Sequence, residues 1–135
     1  MSRLYIAGGS AERGLVSSLM TAAIFAGHDI THDWTRCEGY DRESNEGERA
    51  LWAQADLAGV RAADVVWVIA PEARSEGSAC ELGYALALGK RIVVSGPRAR
   101  DAGRIFYLLT EVYDDHDAAL RAIPGDAPRA LGVAK

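Results

Sequence analysis

From Val65 to Ala70 the chain reads Val-Val-Trp-Val-Ile-Ala, with no charged or hydroxyl-bearing side chain in the run. A strand with one wet face alternates polar and apolar residues. This run does not, so it predicts a strand covered on both faces, the central strand of a parallel sheet. Asp64 opens it, where an aspartate commonly satisfies turn amides, and reads as structural. Such a strand needs helices on either side. Leu4–Ala7 reads as a first strand ended by Gly8-Gly9-Ser10, followed by a helical pattern that places Leu15, Leu19, Ala22, Ala23 and Ala26 on one face, with Phe25 at its flank. Gly27 stops that helix. His28–His32 is an edge-like second strand, residues 35 to 48 a polar loop, and about Glu48 to Ala63 a second helix. Beyond the central strand come a loop from Pro71 to Gly77, a helix over Ser78–Leu88 closed by Gly89, and a strand at Arg91–Ser95. A short helix at Ile105–Leu109, a strand at Glu111–Tyr113, a helix from about Asp117 to Ile123 and a loose tail after Pro124 complete the order. The alternation predicts a single α/β domain: a doubly wound parallel sheet of five strands.

Composition narrows the function. Lys and Arg number 15 against 19 Asp and Glu, for a net charge of −4, which argues against a general nucleic-acid binder. No apolar stretch approaches the ~20 residues of a membrane span. Two cysteines without a C-x-x-C suggest neither a disulfide framework nor a zinc site. The opening Met-Ser-Arg-Leu-Tyr-Ile lacks the apolar run of a secretory signal. These features lead us to expect a cytoplasmic protein with no metal and no cofactor, acting on a small molecule.

In sheets of this kind ligands bind outside the carboxyl ends of the strands, near the switch in strand order. That selects Gly8–Gly14, His32–Thr35 and Ala70–Ser78. The turn Gly8-Gly9-Ser10-Ala11-Glu12-Arg13-Gly14 combines backbone access, a helix start and an arginine, as a phosphate site requires. It matches neither G-x-G-x-x-G nor a P-loop, and it also fits a plain strand–helix turn. Arg74, Ser75 and Ser78 offer further donors. Trp34 can stack on a base or cover the sheet edge. His32 has no partner at metal-ligand spacing, and Cys80 has no evident histidine partner, so neither is assigned chemistry.

Two carboxylates stand out. Glu81 can cap its own helix in a Ser78-x-x-Glu81 box, or serve as a functional carboxylate at the ligand edge. On a helical wheel Asp56 falls in the apolar stripe with Trp52, Gly59, Val60 and Ala63. Carboxylates there are paired structural groups or functional ones. Tyr5 lies in the first strand and reads as core or as facing the site.

Tyr5-Ile6-Ala7-Gly8, Ala55-Asp56-Leu57, Ala63-Asp64-Val65-Val66 and Gly77-x-x-x-Glu81-Leu82-Gly83-Tyr84-Ala85-Leu86-Ala87-Leu88-Gly89 together resemble the nucleoside 2-deoxyribosyltransferase family. That family includes the related nucleoside 5′-monophosphate N-glycosidases. The resemblance runs from Leu4 to about Pro97. It implies a flavodoxin-like (Rossmann-like) sheet and a homodimer or dimer of dimers with sites near subunit interfaces. It also implies a glutamate, here Glu81, that attacks C1′ of the sugar, with Asp56 holding the sugar or handling protons and Tyr5 orienting the glutamate. By its spacing Ser75 matches the serine that the monophosphate hydrolases use on the 5′-phosphate; the transferase branch tends to carry an aspartate there. The chain departs from both branches between Thr35 and Gly47, and after Pro97, a stretch that normally supplies a residue to the neighbouring subunit. The expected reaction is cleavage of the N-glycosidic bond of a nucleoside or, preferably, its 5′-monophosphate. The alternatives are a nucleotide-sensing domain without turnover and a structural oligomerisation module.

Overall fold

The computed structural model describes residues 2–36 and 45–124. Five strands form one all-parallel sheet in the order β2-β1-β3-β4-β5: β1 (Arg3–Ala7), β2 (Asp29–Ile30), β3 (Val65–Ile69), β4 (Arg91–Ser95) and β5 (Glu111–Tyr113). Four helices join them: α1 (Arg13–Phe25), α2 (Glu46–Ala62), α3 (Glu76–Ala87) and α4 (His116–Ala122). Every residue of β3 is buried, as are Leu4 to Ala7 of β1 and Ile92 to Ser95 of β4. Burial at consecutive positions means both faces of the sheet are covered, as the apolar run requires. α2 and α3 pack on each other and against β1. α1 packs against β1 and β2, and α4 against β4 and β5. No described helix is long and apolar enough to cross a membrane.

Several element ends differ from the sequence expectation, each for a local reason. β2 has two paired residues, with Arg3 opposite Asp29 and Leu4 opposite Ile30. The chain leaves the sheet at Thr31, whose hydroxyl donates to the Gly59 carbonyl at 2.7 Å. α1 buries Val16, Leu19, Met20 and Ala23, so Leu15 and Ala26, expected on the inner face, are exposed. α2 begins at Glu46 because Asn45 caps it, accepting from the Glu48 amide at 2.8 Å. α3 begins at Glu76, with Ser75 rather than Ser78 at the cap: the Ser75 hydroxyl oxygen accepts from the Ser78 amide at 3.2 Å. Glu81 is therefore in the second turn, too far along for a capping box. α4 begins at His116, capped by Asp115. Gly27 and Gly89 close α1 and α3 with φ of +95° and +69°, a conformation that favours glycine. Asp64 is structural as expected, accepting from the Arg3 amide at 3.1 Å and the Arg3 guanidinium at 3.2 Å. Most of the polar loop and the tail after Pro124 lie outside the described residues.

Two polar devices hold the β4 side of the sheet. Buried Trp67 donates to Ser95 Oγ at 2.8 Å, and that hydroxyl lies 2.7 Å from His116 Nδ1. Burial holds His116 below its ordinary pKa, so the neutral ring can accept from Ser95. At the opposite strand ends Arg91 forks onto Glu111, at 2.6 and 2.9 Å, and donates to the carbonyls of Ile123 at 2.6 Å and Ala122 at 3.0 Å. One guanidinium thus ties β4 to β5 and to the end of α4. Arg91→Ala leaves Glu111 buried without its cation. We expect a loss of about 3 kcal/mol in urea unfolding, with Arg91→Lys recovering only part because an ammonium cannot reproduce the fork.

Candidate active site

The strand order reverses between β1 and β3, and the loops leaving these strands open a cavity of about 180 Å³. Gly8, Ser10, Arg13, Trp34, Asp56, Ser75, Gly77 and Glu81 line it. All three loops selected by the sheet rule contribute, and two helices supply the carboxylates.

Glu81 sits on the buried side of α3, 7% exposed. Tyr5, fully buried on β1, donates its hydroxyl to Glu81 Oε2 at 2.7 Å. The ring thus crosses from the sheet to the neighbouring helix and fixes one carboxyl oxygen, which sets the direction of the other. Burial pushes the Glu81 carboxyl up to about 7; the Tyr5 hydrogen bond works against this, and the charge of Asp56 adds to it. Such a group changes protonation near neutrality, the range in which a carboxyl can act as nucleophile, acid or base.

Asp56 is 8% exposed on α2 and lines the same cavity. Its Oδ1 lies 3.1 Å from His32 Nε2. The sequence assigns His32 no chemistry, since it has no partner at metal-ligand spacing. The two residues are 24 positions apart, and no local pattern links them. The one available signal was that His32 leaves β2 at the ligand edge.

The donors expected to meet a phosphate divide. Ser10, Arg13 and Ser75 line the cavity, and Gly77, within the selected loop Ala70–Ser78 but not singled out as a donor, joins them at the start of α3. The Arg13 guanidinium donates to the Thr35 carbonyl at 3.2 Å, bracing the loop that carries Trp34. Gly9 is not among the lining residues; its amide donates to Glu12 Oε1 at 3.2 Å. Ser78 is buried and lines a neighbouring cavity of about 300 Å³, together with Arg74, Leu82, Arg104, Phe106 and Tyr107. Ser75 borders both cavities. Trp34 is 5% exposed, and its indole donates to the Ile6 carbonyl at 2.7 Å, so it forms a fixed wall. Gly8 makes room for that wall's surroundings: a Cβ there would stand 2.9 Å from Val16 Cγ2.

A buried carboxylate hydrogen-bonded to a phenol, with a second carboxylate across a small cavity at a sheet's switch point, is an arrangement that can attack, or exchange protons with, a small polar substrate. Residues 4–119 match the nucleoside 2-deoxyribosyltransferase family, and the chain belongs to that family as an enzyme of its type. Among solved structures it is similar to a 2-deoxyribosyltransferase from the psychrotolerant bacterium Bacillus psychrosaccharolyticus. There the TM-score is 0.65 at 16% identity, over 84% of this chain and 86% of that one. It is also similar to the CMP N-glycosidase BcmB of Clostridium botulinum, with a TM-score of 0.57 at 13% identity, over 90% of this chain and 98% of that one. These likenesses carry the flavodoxin-like fold. No curated protein sequence matches this chain.

The raised Glu81 pKa has a cost for folding. An unfolded chain ionises this glutamate near 4.5, whereas the folded protein keeps its proton to about 7. Between these values the folded state binds more protons, so its stability falls as pH rises from 4.5 to 7 and then levels off, by about 3 kcal/mol for this one group. Glu81→Gln removes that dependence. Chemical unfolding at pH 5 and pH 8 should show the variant gaining on the wild type at pH 8 and not at pH 5.

Proposed function

We propose that the protein cleaves the N-glycosidic bond of a nucleoside 5′-monophosphate through a covalent ester between C1′ and Glu81. The Tyr5–Glu81 hydrogen bond inside the shared carboxylate cavity carries this reading. In the first step an ionised Glu81 oxygen forms the bond to C1′ while the C1′–N bond breaks, and the bonding pair leaves with the base. The proton that Glu81 gives up on ionising passes to Asp56, which delivers it to the departing base. Positive charge developing on the sugar favours the ionised form of Glu81 as the transition state is approached. In the second step water, or an acceptor base, attacks C1′, its proton returns to Asp56, and the Glu81–C1′ ester breaks. His32, beside Asp56, is suited to orient that carboxyl during both transfers. Ser75 at the cap of α3, with Ser10 and Arg13 across the cavity, supports a 5′-phosphate. BcmB is a CMP N-glycosidase and the Bacillus neighbour a 2-deoxyribosyltransferase, so the preference for a monophosphate rests on these donors.

A panel of nucleosides and their 5′-monophosphates, with and without an acceptor base, tests this by chromatography of released base. We expect release from a monophosphate, with kcat/KM at least 10-fold above the matching nucleoside, and loss of at least 10³-fold in Glu81→Gln and Asp56→Asn with the fold intact. Equal kcat/KM for the two forms would remove the phosphate assignment. Ligand binding without turnover in the wild type, surviving Glu81→Gln, would make the chain a nucleotide sensor instead.

We also propose that the working form is a homodimer or dimer of dimers. Ile105, Phe106, Leu108 and Leu109 are exposed on one short helical turn beside Ser75's second cavity. Clustered exposed apolar side chains commonly mark an interface. Sedimentation velocity should show an oligomer that Leu108→Asp weakens.

A further inference from the structure

We propose that Gly59 is a positioning residue for Glu81: lacking a side chain, it admits the Tyr5 ring against α2 at the depth from which the phenol reaches the carboxylate. This rests on the role proposed for Glu81, but it can be tested without turnover. A Cβ at position 59 would stand 2.8 Å from Tyr5 Cδ1, 3.0 Å from Tyr5 Cε1 and 2.7 Å from His32 Cβ. Comfortable carbon contacts lie at about 3.5–4.0 Å, so something must move. Neither neighbour is the loose end of a long side chain. The Tyr5 ring is itself fully buried on an interior strand, and His32 Cβ is fixed to its backbone.

The helix cannot easily retreat. Thr31 donates its hydroxyl to the Gly59 carbonyl at 2.7 Å, while its own amide donates to Leu4 O at 2.8 Å, so α2 is stapled to β1 at this level. The backbone itself would accept alanine, which favours a helix over glycine. The strain of a methyl group therefore falls on the Tyr5 ring and on His32 together, and a tilt of the ring moves the hydroxyl at its far end most. The same methyl presses on His32, the partner of Asp56. One glycine thus sets the seating of the second partner of each carboxylate.

The titratable and charged groups facing Glu81 are Tyr5 from β1, Asp56 from α2 with His32 behind it, and Arg13 from α1 across the cavity. Of the influences that shift Glu81, only the Tyr5 hydrogen bond lowers its pKa. Loosening that bond must raise the carboxyl further above its ordinary value.

The experiment is a pH titration of the Glu81 carboxyl by NMR in protein carrying 13C-labelled glutamate, the resonance being assigned by its loss in Glu81→Gln. We expect the Gly59→Ala midpoint to rise by about 1 pH unit, the scale of one hydrogen bond to a charged group. Tyr5→Phe should shift it in the same direction, and adding Gly59→Ala to Tyr5→Phe should shift it no further. Gly83→Ala on α3, where a Cβ meets nothing within 4 Å, is the control and should leave it in place. An unchanged midpoint in folded Gly59→Ala, or full additivity with Tyr5→Phe, would overturn the inference. If Gly59→Ala does not fold, it is placed in a Tyr5→Leu background that folds by itself. Recovery there supports the ring contact, and failure there overturns it. Absence of base release from every substrate would sink the proposed reaction while leaving these titrations to be judged separately.

Discussion

The hydrogen bond from Tyr5 to Glu81 joins residues 76 positions apart, linking the first strand to the third helix. For it to exist, β1 must lie beside β3, α3 must return over β1, and α2 must pack closely enough to seal the ring. Each of these conditions is an element of the fold. The parallel order puts β1 and β3 side by side, with Tyr5 opposite Val66. The cap at Ser75 starts α3 early enough to bring Glu81 down to the sheet in its second turn. The bare face of α2 at Gly59 closes the third side.

Burying a carboxylate in this way costs stability, and the remainder of the molecule offsets the cost away from the cavity. The apolar residues of β1, β3 and β4 form one continuous core. The Arg91 fork fastens β5 and α4 at the amino ends of the strands, opposite the ligand edge. Trp67, Ser95 and His116 satisfy one another beneath α4. The strain of function is thus concentrated at the carboxyl ends of β1 and β3, and the reinforcement lies elsewhere.

The sheet was legible because its signals are local. An unbroken apolar run as short as Val65–Ala70, rich in β-branched residues and ended by Pro71, favours a covered strand over a helix, and Gly27 and Gly89 mark helix ends by a backbone conformation few other residues adopt. The helix starts were less legible. Ser75 and Ser78 each precede plausible helical sequence, and only the hydrogen bond between them decides which is the cap. The inner face of α1 runs through Val16 rather than Leu15; both are apolar, and periodicity alone does not choose between them. Asp56 could be placed on the buried stripe of α2 from its spacing, but its pairing with His32 could not, because contact across β2 and α2 depends on where the edge strand ends. Gly59 was visible as a member of that stripe, whereas its consequence for Tyr5 emerges only from the distance between α2 and β1.

The shortness of the outer strands bears on how copies of this chain can meet. β2 contributes two residues to the ladder and β5 three. Open edges of longer strands invite strand addition from another molecule, since unpaired amides and carbonyls form a template. Here the template on the β2 side ends almost where it begins, with exposed Asp29 at its start. On the β5 side the Tyr113 hydroxyl donates to Glu111, which in turn accepts from Arg91. The sheet therefore offers little to extend, and the oligomer proposed above would have to form through side-chain faces such as the turn at Ile105–Leu109, without lengthening the sheet.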